Sequence, residues 1–187
     1  MIGGLPESLT VGGLEYGIAT DYRDIMVIME AYNDPDLSHK EAVIVTLKFL
    51  YDDFDSIPIE SHQEAAEKAI WFLDCGQYDD DKKPTKRLID WEHDEPILFP
   101  AINKVAGHET RSIKYVHWWT FMGYFMEISG DGLFSQVLAI RQKKAKGKKL
   151  EKWEQEFYRN NKALCDIQTR YTQEEQEEID YWNKILG

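Results

Sequence analysis

The chain has 187 residues, a formal net charge of −12, and 43% hydrophobic, 13% aromatic and 30% charged residues. Such a length suits one domain, or one domain with a docked tail, and such a composition excludes the disordered class. The acidic balance disfavours generic nucleic-acid binding, while two distant cysteines, Cys75 and Cys165, without CxxC or histidine-rich company, fit a reducing compartment better than a disulfide framework.

The N-terminus, MIGGLPESLTV, shows no basic region followed by an apolar core, so no secretory signal is read and an intracellular protein is expected. Residues 9–18, LTVGGLEYGI, alternate apolar and polar positions around Gly12 and Gly13, which predicts a β-hairpin over about 8–18 and no other β-structure. Thr20 stands where an N-cap belongs, with Asp21 and Asp24 in the first turn of a helix that presents Tyr22, Ile25, Met26, Ile28 and Met29. Ser38 with Glu41 spells a capping box for a second helix, whose expected buried set is Val43, Ile44, Leu47, Phe49 and Leu50. Ser61 with Glu64 spells another, opening a helix through Ala65, Ala69, Ile70, Trp71, Phe72 and Leu73 that should stop near Gly76.

The polar stretch at about 77–86 reads as a mobile loop. Beyond it Asp94 can cap a helix, Pro96 fits an early helical position, and Pro100 is expected to kink or divide it. The densest aromatic run, Ser112 to Ser129, is expected to form a central helix buried on most sides. Only His117, Thr120, Gly123 and Glu127 share a polar arc, where Gly123 would admit a close neighbour. The run is too short and too charged for a bilayer span. A helix with Phe134, Val137, Leu138 and Ile140 inward then grades into a basic tract, with Gly147 as its stop. From about Leu150 a helix places Trp153, Phe157, Leu164 and Ile167 at helical spacing, and Thr172 with Glu175 opens a last helix, about 172–186, carrying Ile179, Trp182, Ile185 and Leu186. The sum is a mainly α, single-domain bundle of about seven or eight helices with a short N-terminal hairpin.

Two clusters invite chemistry. Asp90, Glu92, His93, Asp94 and Glu95 offer oxygen and imidazole ligands, yet they form no HExxH, EF-hand or paired Glu-x-x-His pattern. No GxSxG or glycine-rich phosphate loop occurs either, so no catalytic residue, cofactor or metal is expected, and a metal-dependent hydrolase is the weakest reading. Residues 141–152, RQKKAKGKKLEK, hold seven basic groups and one acid, leaving −18 on the rest of the chain. Lys143, Lys144, Lys146, Lys148 and Lys149 could form a solvated helix end, or a docking patch for an acidic protein surface or a phosphate backbone. Ile179, Trp182 and Ile185 mark the last helix as a candidate detachable or swappable contact element.

The segments LPESLTVGGLEYGIATDYRDIM, EAAEKAIWFLDCG with Trp71 and Phe72, RLIDWEHDEPILFPAINKV, YVHWWTFMGYFMEI with His117, Trp118, Trp119 and Phe121, and FSQVLAIRQKKAKGKKLEKWEQEFYRNNK resemble, in order and over nearly the whole chain, the phage gene-product-fifteen family of siphophages and prophages of Gram-positive bacteria. The resemblance implies a non-enzymatic tail assembly chaperone in the host bacterial cytoplasm, encoded between the major tail and tape-measure genes and absent from the finished virion. Its implied partners are the tail-tube protein, the tape-measure protein and an upstream chaperone product, with self-association open and no membrane. A structural tail or connector component is the alternative. Trp118 and Trp119 are expected mainly to hold the core.

Overall fold

The structure, a computed structural model, describes residues 3–77, 87–167 and 169–186, with the backbone alone at Tyr181, Trp182, Ile185 and Leu186. The loop expected at about 77–86 therefore falls, from residue 78 onward, outside the described residues. In chain order the elements are β1 (Ser8–Val11), β2 (Leu14–Gly17), α1 (Tyr22–Ala31), α2 (His39–Leu50), α3 (His62–Leu73), α4 (Glu95–Ala106), α5 (Trp118–Met126), α6 (Leu133–Ala145), α7 (Lys152–Asn160), α8 (Lys162–Cys165) and α9 (Gln173–Leu186). The fold is mainly α with one antiparallel hairpin, as expected. The described helices number nine because the segment expected as one helix from about Leu150 breaks at Asn161. Among the described residues no helix is long and apolar enough to cross a membrane. Two compact units result: one from the chain up to Gly76 together with the chain from Thr169, the other from Gln77 to Gln168.

In the unit built from the two chain ends, β1 and β2 pair from Ser8↔Gly17 to Val11↔Leu14 around Gly12 and Gly13, both at positive φ. That pair of left-handed residues is what a two-residue hairpin turn requires. Leu9 and Val11 are buried while Leu14 is exposed, so the hairpin hides one face. α1 is capped by Asp21 rather than Thr20: Asp21 is extended, its carboxylate accepts from the Arg23 backbone N–H at 3.0 Å, and it pairs with the same guanidinium. The Ser38–Glu41 box forms as spelled. α2 buries Ala42, Thr46, Leu47 and Leu50; Ile44 and Phe49, expected inside, are exposed, because the i, i+4 row 42–46–50 sets the buried face, with Phe49 on its flank and Ile44 on the opposite side of the helix. α3 buries Ala65, Ala69, Phe72 and Leu73 and leaves Ile70 exposed and Trp71 half-buried.

The Ser61–Glu64 box does not form. A short 3-10 turn over Ile59–Ser61 leads directly into α3, and Ser61 makes no cap bond. Glu64 instead accepts the Gly12 backbone N–H at 2.9 Å, tying α3 to the hairpin turn. α3 stops as expected near Cys75-Gly76: Cys75, at φ +56, takes the first left-handed position, with its N–H on Phe72 O and the Gly76 N–H on Trp71 O. This is the paired closing pattern of a helix end, with a cysteine where glycine is usual. Tyr51 donates to Ala65 O at 2.9 Å and bridges to Ile18, joining α2, α3 and the hairpin. α9 opens with the reciprocal Thr172–Glu175 bonds, and its Gln173 N–H donates to Asp36 at 3.0 Å, while Arg170 pairs with Glu30 at 2.7 Å. Ile179 is half-buried; the side chains of Trp182, Ile185 and Leu186 lie outside the description.

In the central unit α4 runs unbroken past Pro100 and ends at Gly107 in the left-handed region. Pro100 stands in the second turn, so it forfeits one ladder bond and does not divide the helix. The aromatic run is not a long helix buried on most sides. α5 has nine residues, buries Trp118 and Phe121, and exposes Met126. His117 leaves the expected polar arc: it is buried, caps α5, and its Nδ1 accepts the Trp119 N–H at 3.0 Å. Gly123 has nothing within 4 Å of where a Cβ would stand, so it admits no close neighbour. Trp118 stacks on Phe121 at 6.0 Å between centroids, and Trp91 and Phe99 complete an aromatic cluster with them. Phe134, Val137 and Ile140 of α6 face inward.

Candidate functional site

The basic tract divides into cations that hold the central unit together and cations that face outward. Arg141 and Asp94 are both almost fully buried and form a two-pronged pair, Nη1 to Oδ2 at 2.6 Å and Nη2 to Oδ1 at 2.7 Å. The guanidinium's other donors go to the carbonyls of Leu88, Leu164 and Cys165, so all five of its N–H groups are placed. Asp94 Oδ2 also accepts the Asp90 N–H at 3.0 Å. Asp94 therefore stands at the N-cap position expected of it but makes no side-chain cap bond to α4; its carboxylate is the acidic half of a clamp joining the segment before α4, α6 and the end of α8.

The rest of the acidic cluster is equally committed. Asp90 pairs with Arg87 at 3.2 Å and accepts the His93 backbone N–H, and the His93 ring meets Ala163 O at 3.0 Å. Among the described residues no group of three or more His, Cys, Asp or Glu is arranged to hold a metal ion.

Lys143 and Lys144 are also committed to partners within this unit. Lys143 reaches Glu154 at 2.6 Å, and Glu154, itself buried, uses its other oxygen to accept the Glu151 backbone N–H at 2.8 Å. The lysine bond and then the backbone bond hold the Glu154 carboxyl below its ordinary range, and the same contact pushes the Lys143 ammonium up. Lys144 pairs with Asp166 and lies over the Tyr158 ring. Burial opposes ionisation of Asp166, but the bonds from Lys144 and Tyr158 outweigh it and bring its pKa down. The stripe expected from Trp153 is displaced in consequence: Glu154 takes the buried position and Trp153 is exposed.

α6 then closes with the Gly147 N–H on Lys144 O and the Lys148 N–H on Lys143 O, Gly147 being at φ +65. This is the glycine-terminated end that the tract predicts. Lys146, Lys148 and Lys149 emerge on this turn, exposed and without an ion pair to any described residue. Of the five lysines singled out in the tract, two are structural and three form an outward basic turn whose base is clamped on both sides. Chain neighbours alone could not separate them, because Glu154 and Asp166 lie 11 and 22 residues further on.

The family-motif residues divide similarly. Phe72, His117, Trp118 and Phe121 are buried, whereas Trp71 and Trp119 are half-buried. The family described as Bacteriophage Gp15 protein matches residues 1–167, in line with the resemblance carried by HWWTF and the basic tract. No curated protein and no solved structure matches the chain.

Proposed function

The chain belongs to the Bacteriophage Gp15 protein family, and we propose that, within the structural or assembly roles this family fills, it is a non-enzymatic tail assembly chaperone. It binds the tail-tube protein, the tape-measure protein or both in the host cytoplasm while the tail is built. The observation that carries this reading is the rigid turn that presents Lys146, Lys148 and Lys149 with no internal partner among the described residues. Outward cations on a fixed scaffold steer encounters with an acidic surface and release it readily, because exposed charges contribute more to association rate than to lasting affinity. A transient assembly factor needs that behaviour.

The test is co-purification with the tail-tube and tape-measure proteins of the same phage, joined to a protein inventory of purified virions. The proposal expects salt-sensitive capture of at least one of them and no copy of this chain in the virion. Stoichiometric presence in the virion would establish the structural tail or connector role instead.

A further inference from the structure

Trp153 follows the basic turn closely in the chain and is exposed, while Glu154 beside it holds the inward position. Of the five tryptophans whose side chains are described, Trp118 is buried, Trp71, Trp91 and Trp119 are half-buried, and Trp153 alone is exposed, at 54%. Its indole N–H already donates to Glu151 Oε2 at 3.1 Å. Glu151 in turn belongs to the start of α7 that the Glu154–Lys143 contact holds in place. The polar edge of the ring is thus occupied and its orientation fixed, which leaves an apolar face displayed at little cost in side-chain freedom on binding. Lys148, Lys149 and Lys152, all exposed, flank it in the chain.

We infer that Trp153 is the apolar anchor of the basic turn, and that the occupant is an acidic protein segment that lays an apolar side chain on the indole while its carboxylates meet the surrounding lysines. This rests on the reading of the basic turn as a docking surface. Charge complementarity with the lysines on either side of it in the chain selects the acidic segment, and tryptophan is among the residues enriched at binding hot spots. A nucleic acid fits less well, because the exposed Glu151 carboxylate stands at the ring edge and would face the phosphates.

The experiment measures binding kinetics of the full chain with the tail-tube and tape-measure proteins over a range of salt, for wild type, Trp153→Ala, Trp153→Phe and the triple variant Lys146→Glu/Lys148→Glu/Lys149→Glu. Trp153→Ala is expected to weaken binding about tenfold or more through faster dissociation, with the salt dependence kept, and Trp153→Phe to retain most of the affinity. The triple variant is expected to slow association and flatten the salt dependence. Loss in the triple variant with none in Trp153→Ala overturns the anchor and leaves the docking surface standing. Loss in Trp153→Ala with none in the triple variant overturns the acidic partner and the basic-turn reading together, as does wild-type protein that binds neither tail protein. A short single-stranded DNA that binds at low salt and is lost in Trp153→Ala overturns the inference in favour of nucleic acid.

Discussion

The unit built from the chain's two ends has 20 acidic and 6 basic residues, a net −14, whereas the unit from Gln77 to Gln168 has 14 acidic and 16 basic, a net +2. In the first, several carboxylates serve as acceptors for backbone N–H groups, Asp21 for Arg23, Glu41 for Ser38, Glu64 for Gly12 and Asp36 for Gln173, and Glu30 pairs with Arg170. In the second they pair with cations distant in the chain: Asp94 with Arg141, Glu154 with Lys143, Asp166 with Lys144. Net charge is therefore a poor guide to available charge. The near-neutral unit ties Arg141, Lys143 and Lys144 of its basic tract to carboxylates of its own and leaves Lys146, Lys148 and Lys149 facing outward.

The largest expected effect breaks that contrast at its centre. Arg141→Met leaves Asp94 buried without a cation and should cost about 3–5 kcal/mol, because a stranded buried charge is worse than no charge at all. Urea unfolding and hydrogen exchange should place the loss in the central unit, while α1 to α3 keep their protection. The double variant Asp94→Leu/Arg141→Met should recover most of it.

Named contacts in each unit should also respond to pH. Glu154 and Asp166 have folded pKa values below their ordinary ones. Their contribution is complete above the ordinary carboxylate range and is lost as pH falls through the folded values. Tyr51 has its pKa pushed up, by burial first and by Glu64 second. Its contribution is complete below about pH 10, the ordinary phenol value, and is lost as pH rises beyond it. Hydrogen exchange followed against pH should show the start of α7 loosening in acid, as Glu154 protonates, and the amides around Tyr51 and Ala65 loosening in alkali. Tyr51→Phe should reduce the alkaline sensitivity, leaving the part due to Cys75, whose thiol is pushed up to about 11 by burial, while costing about 1 kcal/mol at neutral pH for the bond to Ala65 O.

A smaller effect separates two segments spelled alike. Ser38→Ala should cost about 1 kcal/mol in thermal denaturation, since it removes a working cap. Ser61→Ala should change stability by less than about 0.5 kcal/mol, because Ser61 makes no cap bond. Equal losses would show that Ser61 caps α3 after all.

This pair also shows what the sequence could and could not tell. The hairpin at Gly12-Gly13, the boxes at Ser38 and Thr172, and the stop at Gly147 were legible because each rests on residues within a few positions of one another. Three of the failures share one cause, which is a partner far along the chain. Glu64 follows a serine at the right spacing, yet a glycine N–H 52 residues away holds it. Asp94 looks like a cap until Arg141, 47 residues on, claims both its oxygens. Trp153 has the apolar character of a core position, but burying Glu154 to meet Lys143 rotates the tryptophan outward. For the candidate site the basic tract itself was visible; which of its lysines remain free was a tertiary fact.

The most direct test of the docking turn is the salt dependence of capture of the tail-tube and tape-measure proteins by wild type and by Lys146→Glu/Lys148→Glu/Lys149→Glu. The variant should keep wild-type stability within about 0.5 kcal/mol, since none of the three lysines pairs with a described residue. Capture should be strong at low salt for wild type, fall steadily as salt rises, and be weak at every salt concentration for the variant. Equal capture by the two proteins at low salt would contradict the account and take the basic turn out of the mechanism.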